Sequence, residues 1–492
     1  MRTAGVAFVT ATATAAALTP VVRHLARRWG LLDHALSSRK VHGKPIPRLG
    51  GIAIVCAFFA PLVALYFVDS DVGSRLWADP WHAGALFLGG AVIALLGIYD
   101  DLRGSGARIK FAVQFAVAAF MYWAGFRIEH IANPLGGVVE LGVFALPFTM
   151  LWIAGVVNAM NLIDGLDGLA GGVAFIAIAT TFAVAAFRFD PLMLLFTATL
   201  GGAVLGFLFY NFNPATIFMG DTGSMFLGFV LATTAIQTSQ KSSTAVALVV
   251  PVIALGVPIA DTLLAMARRA VRGAPLFSAD RGHIHHRLLA LGLSHRQAVV
   301  VLYVVCALLG GLALTMSFAK SGPAAWYLVA LCVLSLAALW KLGYFRLSGA
   351  QQLLVDRKRN FEMHGAVKSV GNVLRSAGTE DELWHALRLG ASAVGASAVW
   401  LRDEDRSEAA MQGYGLAIDP GAVVEPFTAR FNVTGERPGA MVLILSWDDG
   451  RSEVDRDTEI AVEALCQHLS LALDRVEVEH TARFTIQKTG SV

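Results

Sequence analysis

Through residue 342, apolar runs of about 20 residues, the length that crosses a bilayer, alternate with short polar segments; beyond it they stop. The pattern predicts eleven spanning helices, over residues 4–22, 49–68, 83–99, 109–126, 143–160, 169–187, 191–210, 223–238, 244–266, 297–318 and 323–342. After Leu342 the pattern changes. Met363, Val367, Val370 and Leu374 recur at helical spacing, and Thr379-Glu-Asp-Glu opens a second helix. Strand-like runs follow at 396–401, 427–433 and 440–447, and Asp457 starts a last helix with Val462, Leu465, Leu469 and Leu473 on one face. The chain therefore divides into a membrane domain (1–345), a linker (346–360), a soluble α/β domain (361–480) and a tail (481–492).

Composition agrees with a membrane protein: 56% of residues are hydrophobic and 15% charged, against about a quarter charged in soluble domains. The first run lacks the basic, apolar and cleavage-site layout of a signal peptide, so it is a spanning helix. Loops after odd-numbered spans carry sixteen basic residues, from Arg23 to Arg296, and the opposite side six. The positive-inside rule then puts the N-terminus outside and the C-terminus in the cytoplasm. The net charge of +3 is too small to imply nucleic acid. Cys56, Cys306, Cys332 and Cys466 are scattered, without disulfide or metal spacing, and are packing residues.

With this orientation every unusual polar motif of the membrane half faces the cytoplasm. Carboxylates at membrane helix ends are costly unless solvated or paired, so adjacent Asp100 and Asp101 suggest a divalent metal, or else a solvated helix end partnered by Arg103. Asn161, Asp164 and Asp167 are spaced three apart, which stacks them on one helical face; the glycines between them admit a phosphate. Asp221 lies just before a span, where it could ligate metal while backbone N–H groups bind phosphate; capping would also favour it there. Carboxylate and amide oxygens suit magnesium better than zinc. Arg281, His283, His285, His286 and Arg287 supply donors for a diphosphate, or form a solvated basic loop. Arg39, Lys40, His42, Lys44 and Arg48 steer anions or hold topology.

Together these motifs resemble the polyprenyl-phosphate N-acetylhexosamine-1-phosphate transferase superfamily over roughly residues 30–300. The resemblance rests on Arg39-Lys40 with Pro47-Arg-Leu-Gly-Gly51, Asp100-Asp101, Asn161-Leu-Ile-Asp-Gly-Leu-Asp167, Gly220-Asp-Thr-Gly-Ser224 and His283-Ile-His-His-Arg-Leu288. It implies a polytopic α-helical protein of eleven spans, in the inner (cytoplasmic) membrane, that transfers a sugar-1-phosphate from a UDP-amino sugar to undecaprenyl or another polyprenyl phosphate and releases UMP. The histidine motif is similar to that of the UDP-GlcNAc branch. Such enzymes begin cell-envelope glycans, O-antigen among them. The resemblance further implies Mg²⁺, replaceable by Mn²⁺, on Asp221 with Asp101 or Asp100 as second ligand or as the group orienting the lipid phosphate. Asp164, Asp167 and Asn161 would organise the nucleotide and metal shell. Arg281, His283, His285, His286 and Arg287 would hold the diphosphate, with Lys40 and Lys44 attracting a phosphate. The soluble domain resembles a GAF-type module, which implies regulation or a homodimer. Competing readings are a membrane sensor or transporter with a regulatory tail, and an inactive scaffold.

Overall fold

The computed structural model describes residues 1–33, 46–132, 138–240, 249–272, 282–318, 350–403, 412–415, 427–433 and 441–489 (452 excepted), with the isolated positions 330, 334 and 337. Lys40, Lys44, Arg281, Cys332 and nearly all of the span expected at 323–342 lie outside these residues. The chain forms two compact units, Met1–Ala265 with Arg281–Phe345, and Met266–Asp280 with Arg346–Val492.

The first unit is helical: α1 (Arg2–Arg28), α2 (Gly51–Ala64), α3 (Asp71–Trp77), α4 (Pro80–Arg103), α5 (Ala107–Trp123), α6 (Ala145–Ile163), α7 (Leu169–Phe187), α8 (Pro191–Asn211), α9 (Gly220–Gln240), α10 (Val249–Ala254), α11 (Gly256–Arg272, whose C-terminal part belongs to the second unit), α12 (Ile284–Ala290) and α13 (His295–Phe318). Two short antiparallel pairs, β1 (Leu32–Asp33) with β2 (Ile46–Pro47) and β3 (His130–Ala132) with β4 (Val138–Glu140), join helices. Among the described residues six helices are long and apolar enough to cross a membrane, and α2 is a shorter apolar helix. The protein is thus a multi-pass membrane protein.

In lipid, helices associate through close packing rather than water exclusion. Gly202 and Gly206 on α8 provide that: a Cβ at either would overlap the backbone carbonyl of Phe8 or Thr12 on α1. One expected helix differs. The run at 244–266 is broken at Leu255 into α10 and α11, because Pro258 lacks an N–H and its ring crowds the carbonyl four residues back, at Ala254. Cys306 is buried and packs as expected, whereas Cys56 is exposed on the surface of α2.

The second unit has an antiparallel sheet in the order β6-β5-β8-β7, from β5 (Ala398–Asp403), β6 (Gln412–Gly415), β7 (Phe427–Val433) and β8 (Met441–Trp447). Helices Ala350–Ser376, Glu380–Ala393 and Arg456–Thr489 share a core with it, made of Val370, Leu387, Val399, Leu445, Trp447 and Leu465 among others. The helix beginning at Ala350 takes in most of the segment assigned to the linker. Thr379 caps the middle helix by accepting from Glu382 N–H at 3.3 Å, where the sequence predicts its start, and Glu382 accepts from Gly378 N–H, one residue before the cap.

Candidate active site

The polar motifs of the first unit meet at one end of its helices, where backbone glycines let three elements converge. A Cβ on Gly51, at the start of α2, would overlap Gly223 of α9, and one on Gly97 of α4 would overlap Thr222. The Pro47–Gly51 segment pairs with the strand-like backbone before α9: Phe218 N–H donates to Pro47 O (2.9 Å), Gly50 N–H to Phe218 O (2.9 Å) and Gly51 N–H to Met219 O (2.8 Å). Leu49, between them, holds a positive φ of 77°, the kind of strain that persists where the surroundings over-determine the backbone.

The adjacent aspartates in the last turn of α4 divide their work. Asp101 turns its Oδ1 to Asp221 N–H (2.9 Å) and its Oδ2 to Thr222 N–H (3.0 Å) and Thr222 Oγ1 (2.7 Å). It therefore caps α9 from another helix, satisfying donors that a helix N-terminus leaves open. Gly220 is required beside it, since a Cβ there would sit 2.6 Å from Asp101 Oδ2. Asp100 instead accepts from Ser105 N–H (2.6 Å) with Oδ1 and presents Oδ2 to Lys110 Nζ at 2.5 Å. The same ammonium lies 2.6 Å from Asp221 Oδ2. The carboxylate that meets that of Asp221 across the Lys110 ammonium is thus Asp100, while Asp101, expected as a metal ligand, accepts from the backbone N–H groups at the α9 N-terminus. Lys110 enters the sequence reading only as a topology charge, and its pairing across 111 residues leaves no local signal.

Asn161, Asp164 and Asp167 do not stack on one helical face. The helix ends at Ile163, with Asp164 as its C-cap, and Gly168, left-handed (φ 75°), is the N-cap of α7, so Asp167 lies in the turn between two helices. Asn161 Nδ2 donates to Ser224 Oγ (3.0 Å). Asp167 Oδ2 accepts from Asn213 Nδ2 (3.0 Å) and Ala215 N–H (2.9 Å), holding the loop between α8 and α9. Tyr303 of α13 donates to Gly168 O at 2.5 Å and fixes the turn from the other side. Burial and the negative charges of Asp221, Asp101 and Asp167 push the Asp164 carboxyl up to about 8.

The histidine segment reaches the same place. His285 is 2% exposed, and its Nε2 would lie 2.6 Å from a Cβ on Gly165, so its ring rests on the Asp164–Asp167 turn. Burial, reinforced by His286 and His283, pushes its imidazole down to about 3. His285 is therefore neutral and can offer a diphosphate at most a neutral N–H donor. The His283 and His285 rings are nearly parallel with centroids 5.8 Å apart, and those of His285 and His286 are 4.3 Å apart. Behind them is a residue that sequence reasoning missed, Asp261 of α11, 2.9 Å from His283 Nδ1.

Among the described residues no three histidine, cysteine, aspartate or glutamate side chains group as a metal cage. What the cluster supplies is two carboxylates, Asp100 and Asp221, converging on one cation, the Lys110 ammonium. That oxygen donor set fits magnesium, which takes one or two carboxylates and completes its octahedron with water and phosphate oxygens.

The family description "Glycosyl transferase family 4" matches residues 83–239. The chain is 41% identical over 301 residues to a probable undecaprenyl-phosphate N-acetylglucosaminyl 1-phosphate transferase of Bacillus subtilis, covering 61% of this chain and 81% of that one. It is 36% identical over 345 residues to a decaprenyl-phosphate N-acetylglucosaminephosphotransferase of Mycobacterium tuberculosis (65% and 84%). It is 27% identical over 331 residues to the undecaprenyl-phosphate alpha-N-acetylglucosaminyl 1-phosphate transferase of Escherichia coli (65% and 85%).

Proposed function

Because the chain belongs to glycosyl transferase family 4, we propose that it transfers N-acetylglucosamine-1-phosphate from UDP-GlcNAc to a polyprenyl phosphate, giving a polyprenyl-diphospho-sugar and UMP. The observation that carries this reading is the Asp100–Lys110–Asp221 cluster, which gathers a cation and two carboxylates beside the Asp164–Asp167 turn and the histidines. An oxygen of the lipid phosphate attacks the β-phosphorus; the bond from that phosphorus to the bridging oxygen breaks, and the oxygen leaves with UMP. A phosphate monoester with second pKa near 6 is largely ionised at neutral pH, so positioning and charge neutralisation supply most of the rate.

Asp100 and Asp221 would hold Mg²⁺, with Mn²⁺ as a substitute; when bound, it neutralises diphosphate charge. Lys110 offers its ammonium to a phosphate oxygen. Asp101 sets the start of α9, so that Asp221 is presented at a fixed height. Asp167 holds the 213–215 loop. Asp164, with its carboxyl near 8, is the acid of the cluster able to hold or release a proton at its carboxyl oxygen near neutral pH. His283, His286 and Arg287 bind the diphosphate, together with Lys40, Lys44 and Arg281, and neutral His285 packs the turn. Helices α2, α5, α9 and α10–α11 with the 323–342 run complete eleven spans beside the six long apolar helices, and the basic asymmetry supports a site and C-terminal unit in the cytoplasm, in the inner membrane. The 350–489 unit is read as a GAF-like module through which the chain forms a homodimer.

The test is incubation of the purified full chain with undecaprenyl phosphate, Mg²⁺ and a panel of UDP-amino sugars, measuring UMP and lipid-linked sugar. Release with UDP-GlcNAc and none from Asp221→Asn supports the reading. Silence with every donor removes it.

A further inference from the structure

A carboxylate buried to 2% exposure must be paired or it is strongly destabilising, and Asp261 has that exposure. Its two oxygens serve two adjacent residues of one distant segment. Oδ2 is 2.9 Å from His283 Nδ1, and Oδ1 accepts from Ile284 N–H at 2.8 Å. A carboxylate only accepts, so the shared proton is on Nδ1. The polar atom that His283 presents away from Asp261 is then Nε2, an acceptor in the neutral ring and a donor in the charged one. Contact continues from there: the His283 ring lies nearly parallel to that of His285, and His285 rests on Gly165 between Asp164 and Asp167. Asp261 touches none of the carboxylates of the Asp100–Asp221 cluster through any described hydrogen bond.

We propose that Asp261 is a positioning residue for sugar-phosphate transfer, which sets the tautomer and ring plane of His283 and, through the stacked rings, seats the histidine segment on the Asp164–Asp167 turn. This rests on the transferase reading above. The alternative is a purely structural staple between α11 and α12, and the two differ in what they require of Nε2. A staple needs only a donor to Asp261. A positioning role needs the correctly directed Nε2 as well.

Four full-length variants separate these in the UMP-release assay, each with its thermal midpoint in the same detergent. His283→Asn keeps a side-chain N–H where Nδ1 lies but has no Nε2; His283→Gln reproduces Nε2 without the bond to Asp261. Asp261→Asn has one carbonyl oxygen for two donors. With that oxygen on Ile284 N–H, its NH2 faces Nδ1 and drives the ring proton to Nε2. The expected result is a wild-type midpoint for His283→Asn with kcat reduced at least about tenfold. Asp261→Asn should lose about 10–100-fold in kcat, the scale set by losing the carboxylate that orients a metal-ligating histidine, with KM for undecaprenyl phosphate within about twofold of wild type. The Asp261→Asn/His283→Gln double variant should be no slower than His283→Gln alone. Wild-type turnover by His283→Asn, or losses that multiply in the double variant, would overturn the positioning role. The His283→Asn arm decides even where Asp261→Asn loses its fold, because it leaves the carboxylate and its donor in place. A wild-type chain that releases no UMP would instead overturn the transferase reading and this role with it.

Discussion

Carboxylates at other helix starts of the membrane unit behave differently from those of the cluster. At the starts of α4 and α8, Asp79 and Asp190 cap their own helices: Asp79 accepts from His82 N–H, and Asp190 from Leu192 and Met193 N–H, each at 3.1 Å. At the cluster, Asp101 caps a helix 120 residues away, Asp221 and Asp100 share the ammonium of α5, and Asp261 reaches from α11 to the start of α12. A carboxylate that satisfies its own helix contributes stability only. One that serves another helix fixes where two elements meet, and several together build a site.

The sharpest break of this comparison is at Asp221 and Asp100. Asn at either position should lower UMP release at least about 10²-fold, the scale of removing one group that stabilises transferring charge, without unfolding the protein; Lys110→Ala should fall into the same range and Lys110→Arg retain more. A rate near wild type in these variants would mean the cluster is structural. Asp101→Asn should affect both properties. Replacing the carboxylate that bonds the α9 donors should cost about 1–3 kcal/mol in thermal or denaturant unfolding, and turnover should fall as Asp221 shifts. Asp190→Ala, by contrast, should cost about 1 kcal/mol and leave kcat unchanged. If Asp101→Asn and Asp190→Ala behave alike, the distinction between own-helix and cross-helix caps fails.

An effect on stability alone is a pH slope. The Asp164 carboxyl sits near 8 in the folded protein and near 3.8 as a free side chain. Below about pH 4 both states are protonated. Between about 4 and 8 the unfolded chain has released its proton and the folded chain has not, so stability falls as pH rises through that window. In EDTA the thermal midpoint should drop by a few degrees from pH 5 to 8, less so in Asp164→Asn. An equal slope in both would place the titration elsewhere.

Much of this was legible in the residues. Apolar runs locate α1, α4, α7 and α8, and the helix start at Thr379 and the strands at 427–433 and 441–447 lie where pattern puts them. The misses have physical causes. Asp261 is a lone carboxylate inside an expected span, and nothing nearby in sequence marks its partner 22 residues on. The break at Leu255 follows from Pro258, which sits inside a continuous apolar run that by length alone spells one helix. The three-residue spacing of Asn161, Asp164 and Asp167 implies one helical face only if the helix continues, and it stops at Ile163 with α7 starting after Gly168. Strand β6 is four residues long with two glycines, too short and too weakly patterned for a strand period to show.

By itself the sequence determined that the chain crosses a membrane, that its motifs are those of a sugar-phosphate transferase, and that a separate α/β unit follows. These depend on hydrophobic period and short-range spacing, which act within a few residues. Only the tertiary structure decided which of two adjacent aspartates meets Asp221 across an ammonium, that Lys110 supplies it, and that Asp261 holds His283. A carboxylate's partner is set by which backbones approach closely enough, and here that approach depends on Gly51, Gly97 and Gly220 lacking a Cβ, a condition of distance between helices that no local pattern encodes.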